Sequence, residues 1–190
     1  MTMTHALIGY GSLIHPDSRA KTGITGSGTP IWVEGYQRSW NARDPERGFT
    51  VLGVTPNRRS RLNSVLFELP EEEIPKFDER EFGYHRVHVS DDVVSSYGSE
   101  SIPEIDRIWM YVIDQEQPAD DVYPLIQSYI DVCITGALNH GERFATDLID
   151  TTVGWGLPLK NDRDDPLYPL TLECKSYWHW IDEGLKPKRH

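Results

Sequence analysis

Between residues 31 and 69 the chain carries three apolar segments, 31–40, 49–54 and 64–69, rich in β-branched and aromatic residues, that read as strands. Gly35 inside the first marks a bulge or bend. Thr55-Pro56-Asn57 begins a turn between the second and third, and the remainder of that turn is basic. Three more segments add to the count. Leu7-Ile8 enters a glycine-containing turn, and residues 84–90 alternate, with Tyr84, Arg86 and His88 on one face. Residues 107–113 are apolar on both faces after Arg107, as expected of a central strand. Short strands at this density predict a strongly curved antiparallel or mixed sheet that closes toward a barrel.

Helical signals are fewer. Val122, Leu125, Ile126, Tyr129, Ile130, Cys133, Ile134 and Leu138 recur at three- and four-residue steps. They predict a helix over 121–138, capped by Asp120 or Asp121 and stopping near Asn139-His140-Gly141. A shorter helix follows over 142–149. Pro70-Glu71-Glu72-Glu73 reads as a single turn ahead of a short helix beginning near Pro75. Residues 15–30 read as loop with a short helical turn, 154–169 as irregular, and 175–183 as a last helix or extended segment.

A chain of 190 residues without internal repeats or linkers is expected to form one domain, with an extension from about residue 151 that no motif assigns. No stretch reaches the roughly 18 consecutive apolar residues of a membrane span, and the start lacks a basic region followed by an apolar one, so the expected compartment is the cytosol. Cys133 and Cys174 are far apart and belong to no Cys/His cluster, which argues against a disulfide framework or structural zinc, and Cys133 is expected to be buried. A net charge of −11 argues against nucleic acid or an anionic membrane as partner. Two basic clusters, Arg58/Arg59/Arg61 and Lys186/Lys188/Arg189, read as a solvated loop and a chain end. Nothing here sets an oligomeric state.

The candidate chemistry gathers at two places. In Gly9-Tyr10-Gly11-Ser12-Leu13 a strand runs into a turn whose glycines allow a positive φ or close approach of a ligand, and whose N–H groups could hold an anion. Ser12 invites a nucleophile reading, but Gly-x-Ser-x-Gly would need glycine where Ile14 stands and no partner histidine can be assigned. The stretch lacks the lysine of a phosphate loop and the third glycine of a dinucleotide fingerprint. The second place is Glu81. On a short helix, 100° per residue puts Ile74, Phe77 and Glu81 on one stripe, with Asp78 within reach of the same face. A carboxylate partly desolvated there has a raised pKa and can act as a base near neutral pH; the competing reading pairs it with Arg80 or Arg86 at the rim. His85 and His88 fall on opposite strand faces, so no metal pair is expected. Trp155, between two glycines, is the aromatic expected to line a pocket. Arg38, Arg58 and Arg163 are candidate partners for a substrate carboxylate.

Taken together, Gly9-Tyr10-Gly11-Ser12-Leu13-Ile14 and, some seventy residues on, Arg80-Glu81-Phe82-Gly83-Tyr84 resemble the gamma-glutamylcyclotransferase-like superfamily, most closely its ChaC-type branch. Tyr-Gly-Ser-Leu resembles that family's ligand-binding loop, and the Arg-Glu pair resembles the segment carrying its catalytic glutamate. The match spans roughly residues 5–115. It departs where only Phe82 separates Glu81 from Gly83, in place of a longer Glu-Lys-Gly-Gly-Tyr run, and in the residues after Ile14. The resemblance implies an α+β fold, a small mixed β-barrel-like sheet flanked by helices. It also implies cyclisation of a γ-glutamyl amide or peptide, glutathione among the candidates, to 5-oxoproline and a free amine, without metal or cofactor. Glu81 would be base and then acid, Gly9, Tyr10, Gly11, Ser12 and Leu13 would hold the γ-glutamyl group, and Tyr84 would orient it. The alternatives are a non-catalytic binding protein for such small molecules and a serine acyl hydrolase using Ser12.

Overall fold

The computed structural model describes residues 3–170 and 174–189. Strand β1 (His5–Gly9) is buried throughout and leads into a single 3₁₀ turn (Ser12–Ile14). Helix α1 (Pro16–Ala20) starts on its proline, with the His15 ring accepting from the Asp17 N–H. Strands β2 (Gly28–Asp44) and β3 (Phe49–Leu69) then form one long antiparallel ribbon, paired from Gly28↔Phe67 to Asp44↔Phe49. The turn predicted at 55–57 does not break β3. Pairing passes from Glu34↔Arg61 to Tyr36↔Pro56, so residues 57–60 face Gly35 alone, at φ +83°, and the expected turn is absorbed as a wide bulge. The basic cluster therefore rides on a strand, with the Arg61 guanidinium 4.2 Å from the Trp32 ring centroid.

A 3₁₀ turn (Glu71–Glu73) and helix α2 (Ile74–Arg80) follow, as the prolines predicted, and then β4 (His85–Val89), β5 (Val94–Ser96) and β6 (Arg107–Val112). The sheet order is β4-β6-β1-β3-β2-β5. β6 lies between β4, antiparallel, and β1, parallel, the central position its two-sided apolar pattern predicted. Among the described residues the end strands β4 and β5 do not pair, so the mixed sheet is curled but open.

The helix predicted from residue 121 begins six residues later. Leu125–Ile126 form strand β7, with Leu125 opposite Thr50 and Leu159, and α3 is Gln127–Leu138. Asp120 does bind the N–H groups of Val122 and Tyr123, but it closes a turn and caps no helix. Long-range pairing overrides the helical period there. Helix α4 (Glu142–Asp150), strand β8 (Thr152–Val153) beside β2, strand β9 (Leu159–Lys160) beside β7, and helix α5 (Trp178–Leu185) against α3 and α4 complete the chain. The helices cover the inner sheet face, where Ile8, Trp40, Leu52, Ile130, Phe144 and Leu148 share one core. A smaller apolar cluster, with Leu7, Phe67, Phe77 and Tyr111, seats α2 on the outer face. Trp155 belongs to the main core and lines neither of two cavities formed by the described residues: its ring meets Trp40 edge-on at 5.1 Å and its Nε1 donates to the Ile149 carbonyl.

Candidate functional site

Strand β1 stops at Gly9, opposite Val65 of β3, while its other neighbour β6 runs on until the Ile113 N–H donates to the Val54 carbonyl at 3.1 Å. The sheet is therefore split where β1 ends, between β3 and β6. The turn after β1 fills the split from one side, and the segment joining α2 to β4 fills it from the other. A cavity of about 20 Å³ remains between them. Its walls are Tyr10, Gly11, Ser12 and Leu13 from the turn, Glu81 and Tyr84 from the α2–β4 segment, Tyr111 from β6, Tyr129 from α3, and Ile8 and Leu52 from the sheet. As it stands it admits about one water, which needs roughly 10–15 Å³, so a larger ligand has to push its walls apart on entering.

The two turn glycines serve close approach, since neither has a positive φ. A Cβ on Gly9 would lie 2.9 Å from the backbone carbonyl of Leu13, and one on Gly11 would lie 2.6 Å from the Tyr129 hydroxyl. Gly9 thus sits behind the cavity and lets the turn fold back, while Gly11 lies on its wall. The first hydrogen bond of the 3₁₀ turn is Ile14 N–H to the Gly11 carbonyl, at 3.0 Å, which leaves the N–H groups of Ser12 and Leu13 ahead of the ladder. Ser12 is not arranged as a nucleophile: its Oγ accepts from the Tyr168 hydroxyl at 2.9 Å and from Arg80 Nη2 at 3.1 Å, and neither partner is a base.

Glu81 caps α2, its N–H bonded to the Phe77 carbonyl at 2.9 Å. Tyr84 N–H returns to the Glu81 carbonyl at 3.0 Å, closing a turn that requires Gly83 at φ +91°. The Glu81 side chain is only 17 % exposed, and its Oε1 lies 3.3 Å from Arg80 Nε. Burial pushes its pKa above the ordinary glutamate value, and the Arg80 charge pulls part of the way back. Both sequence readings of Glu81 therefore meet in one place, since it is paired with Arg80 and also lines the cavity. Asp78 does neither. It binds Arg86 and accepts from the Tyr111 hydroxyl, both at 2.8 Å.

Arg80 also ties the acid to the turn. Its Nη1 donates to the Ser18 carbonyl and Thr22 Oγ1, each at 2.7 Å, and its Nη2 donates to Ser18 Oγ as well as Ser12. Tyr84 donates its hydroxyl to the Leu52 carbonyl at 2.8 Å. Burial raises the phenol pKa values of Tyr10, Tyr84 and Tyr129 well above their usual range, and the Glu81 charge adds to the effect, so these phenols stay neutral donors.

None of the three arginines singled out in the sequence reaches the cavity. Arg38 is fully buried and spends its guanidinium on Tyr10, Asn63, Leu148, Thr151 and Thr152. Burial lowers its pKa to about 9, so it remains charged at neutral pH and holds the Tyr10 carbonyl in place. Arg163 is clamped by Asp131 and Asp182, and Arg58 is exposed on the ribbon. Sequence reasoning missed Tyr111 and Tyr129 as cavity walls and Tyr168 as a partner of Ser12. The signal for Tyr129 was a hydroxyl on an otherwise apolar helix stripe, which needs a polar neighbour. Among the described residues no group of three or more His, Cys, Asp or Glu is placed to hold a metal ion, and no helix is long and apolar enough to cross a membrane.

No known family profile and no curated protein sequence matches the chain. Solved structures do match it. A structure described as a gamma-glutamyl cyclotransferase superimposes with a TM-score of 0.65 at 12 % identity, over 97 % of this chain and 99 % of that one. An uncharacterized protein from Homo sapiens superimposes at 0.62 and 12 % identity, over 78 % and 88 % of the two chains. YkqA from Bacillus subtilis reaches 0.62 at 17 % identity, over 83 % of this chain and 56 % of its own length.

Proposed function

We propose that this chain, which has the gamma-glutamyl cyclotransferase-like fold, cyclises a γ-glutamyl amide or peptide to 5-oxoproline and releases the amine. The observation that carries this reading is that the Glu81 carboxylate and the Tyr10–Leu13 turn line one cavity, although some seventy residues separate them. In the reaction the substrate's α-amine attacks its own γ-carbonyl. A new N–C bond closes the five-membered ring and the original amide C–N bond breaks. Glu81 accepts the proton that the attacking amine loses and delivers it to the departing nitrogen, so no water is consumed and one carboxylate serves both steps. The attack is intramolecular, so holding the γ-glutamyl chain folded supplies much of the acceleration. The turn's N–H groups are suited to the substrate carboxylate or to the developing oxyanion, and Tyr84, whose hydroxyl proton is committed to the Leu52 carbonyl, has its phenol oxygen left to accept a hydrogen bond from the substrate's amine. These groups suffice without a metal or cofactor. The raised pKa of Glu81 makes it a stronger base than an exposed glutamate.

The Arg80–Glu81 ion pair supports a second reading, in which the same pocket binds a γ-glutamyl compound without turning it over. Purified protein assayed for 5-oxoproline release from γ-glutamyl dipeptides and glutathione separates the two, with Glu81→Gln as control. Cyclisation requires turnover by the native chain and its loss in the variant. Near-native turnover by Glu81→Gln would sink the assignment, and saturable binding without 5-oxoproline would favour the second reading.

A further inference from the structure

Three guanidinium groups grip the turn that faces Glu81. Arg19 of α1 is 3 % exposed, and its Nη1 donates to the carbonyls of Leu13 and Ile14, both at 2.9 Å. Its guanidinium carbon lies 4.7 Å from the centroid of the Phe67 ring, and among the described residues its Nε has no hydrogen-bond partner. At the start of the turn, Arg38 Nη1 donates to the Tyr10 carbonyl at 3.1 Å. Arg80 is the third, at Ser12 Oγ. Arg19 and Arg38 thus hold the two ends of the turn from behind, while its other side faces the cavity.

The charges around the turn do not balance. Arg80 is paired with Glu81, but among the described residues neither Arg19 nor Arg38 is paired with a carboxylate. The charge acting on Arg19 is that of Arg80, of the same sign. Burial and this repulsion lower the Arg19 pKa to about 10, so it stays charged at neutral pH. A buried guanidinium without an anion is destabilising, and a neutral N–H donor is enough to satisfy a carbonyl. The charge itself therefore calls for a partner. Tyr10 and Leu13, whose carbonyls the two arginines hold, both line the cavity. A bond to a carbonyl also draws electron density from its peptide unit and strengthens the N–H at the other end as a donor. For Tyr10 that N–H belongs to Gly11, on the cavity wall. Positive charge that stands behind the turn at all times is best matched by an anion that stands there throughout binding. A carboxylate does so, whereas an oxyanion exists only during the reaction.

We infer that Arg19, together with Arg38, makes the turn a site for the ionised α-carboxylate of a γ-glutamyl group, and that Arg19 sets the preference for this carboxylate over a neutral carboxamide. The inference rests on the proposed cyclisation and chooses between the two anions suited to the turn's N–H groups. Arg19 is a positioning residue: it acts through Leu13 and Ile14, which it fixes and polarises from behind.

The test has a binding arm and a turnover arm. In the first, the native protein is titrated calorimetrically with 5-oxoproline and, separately, with 5-oxoprolinamide, which lacks the charge. Tighter binding of the anion, by about tenfold, is expected; equal affinity, or no binding of either, overturns the inference. In the second, kcat/KM is compared for γ-glutamylbutylamide and for its analogue whose α-carboxylate is a carboxamide. Arg19→Gln keeps an N–H donor for the carbonyls and removes the charge, so the carboxylate-to-carboxamide ratio is expected to fall about tenfold, through KM more than kcat. Arg19→Lys keeps the charge and should restore most of the ratio. A merely structural role would slow both substrates alike, and an unchanged ratio in Arg19→Gln overturns the inference. If Arg19→Gln does not fold, the binding arm decides. If the native chain cyclises neither compound, the cyclisation reading fails, and the binding arm alone decides the anion site.

Discussion

The Tyr168 hydroxyl donates to Ser12 Oγ at 2.9 Å across 156 positions of the chain, with its ring edge-on to Tyr129 at 4.8 Å. The irregular segment after α4 thus reaches the turn that the opening strand leads into. Replacing Tyr168 by Phe keeps the ring and removes this bond. A stability loss of about 1 kcal/mol is expected, together with a higher KM for a γ-glutamyl dipeptide and a smaller change in kcat, read by thermal unfolding and steady-state kinetics.

Arg80 holds the carboxylate partly in its ionised form against the effect of burial. The ionised form is the base, so kcat/KM should rise with pH through a midpoint above the ordinary glutamate value of 4.5. Arg80→Met removes the opposing charge and should move that midpoint to higher pH. A pH profile of the variant measures this directly, and a midpoint moving to lower pH would contradict the role given to Arg80.

Glu81 also sets a pH dependence of stability. Its folded pKa lies above the unfolded value, so the native state retains the proton to higher pH than the unfolded chain does. The stability this proton contributes is fully present below the unfolded pKa and is lost as pH rises through the folded one. Glu81→Gln should therefore unfold at a higher temperature than the native chain at pH 8, and the gap should narrow toward acid. The same substitution should lower kcat by about 10²- to 10⁴-fold. Thermal scans from pH 4 to pH 8 alongside the 5-oxoproline assay test both.

Gly9 and Gly11 should respond differently to alanine. At Gly11 the new methyl meets the end of one side chain, Tyr129, which can tilt, whereas at Gly9 it meets the Leu13 backbone, which cannot. Gly9→Ala should cost more stability, about 1–3 kcal/mol. Gly11→Ala should mainly displace the Tyr129 hydroxyl and lower kcat/KM about tenfold, because a misplacement near 1 Å can cost up to about 10²-fold. Denaturant unfolding and kinetics on the pair separate the two effects.

Much of the fold was legible because its signals are local. The two-sided apolar run of β6 marked it as central, Gly35 marked the bulge in the ribbon, and Pro70 and Pro75 marked the turn and helix that carry Glu81. Two expectations failed for a common reason. Residues 55–61 looked like a turn and 121–126 like the start of a helix, but pairing with Tyr36 and Glu34 in one case, and with Thr50 and Leu159 in the other, decided their conformation. Arg38, read as a partner for substrate, instead ties β2 to the Tyr10 carbonyl, to Asn63 and to the residues around the end of α4.

From the sequence alone came the two halves of the candidate site. The glycines around Tyr10 mark a sharp turn, and the helical step from Phe77 puts Glu81 on the buried stripe, because turns and helix faces are set by neighbouring residues. Only the tertiary structure decided that the two halves share one cavity, that Asp78 pairs elsewhere, and that Ser12 accepts bonds from Arg80 and Tyr168. Those outcomes depend on strand register and on where β1 stops between β3 and β6. Both are set by contacts between distant parts of the chain, which no local pattern encodes.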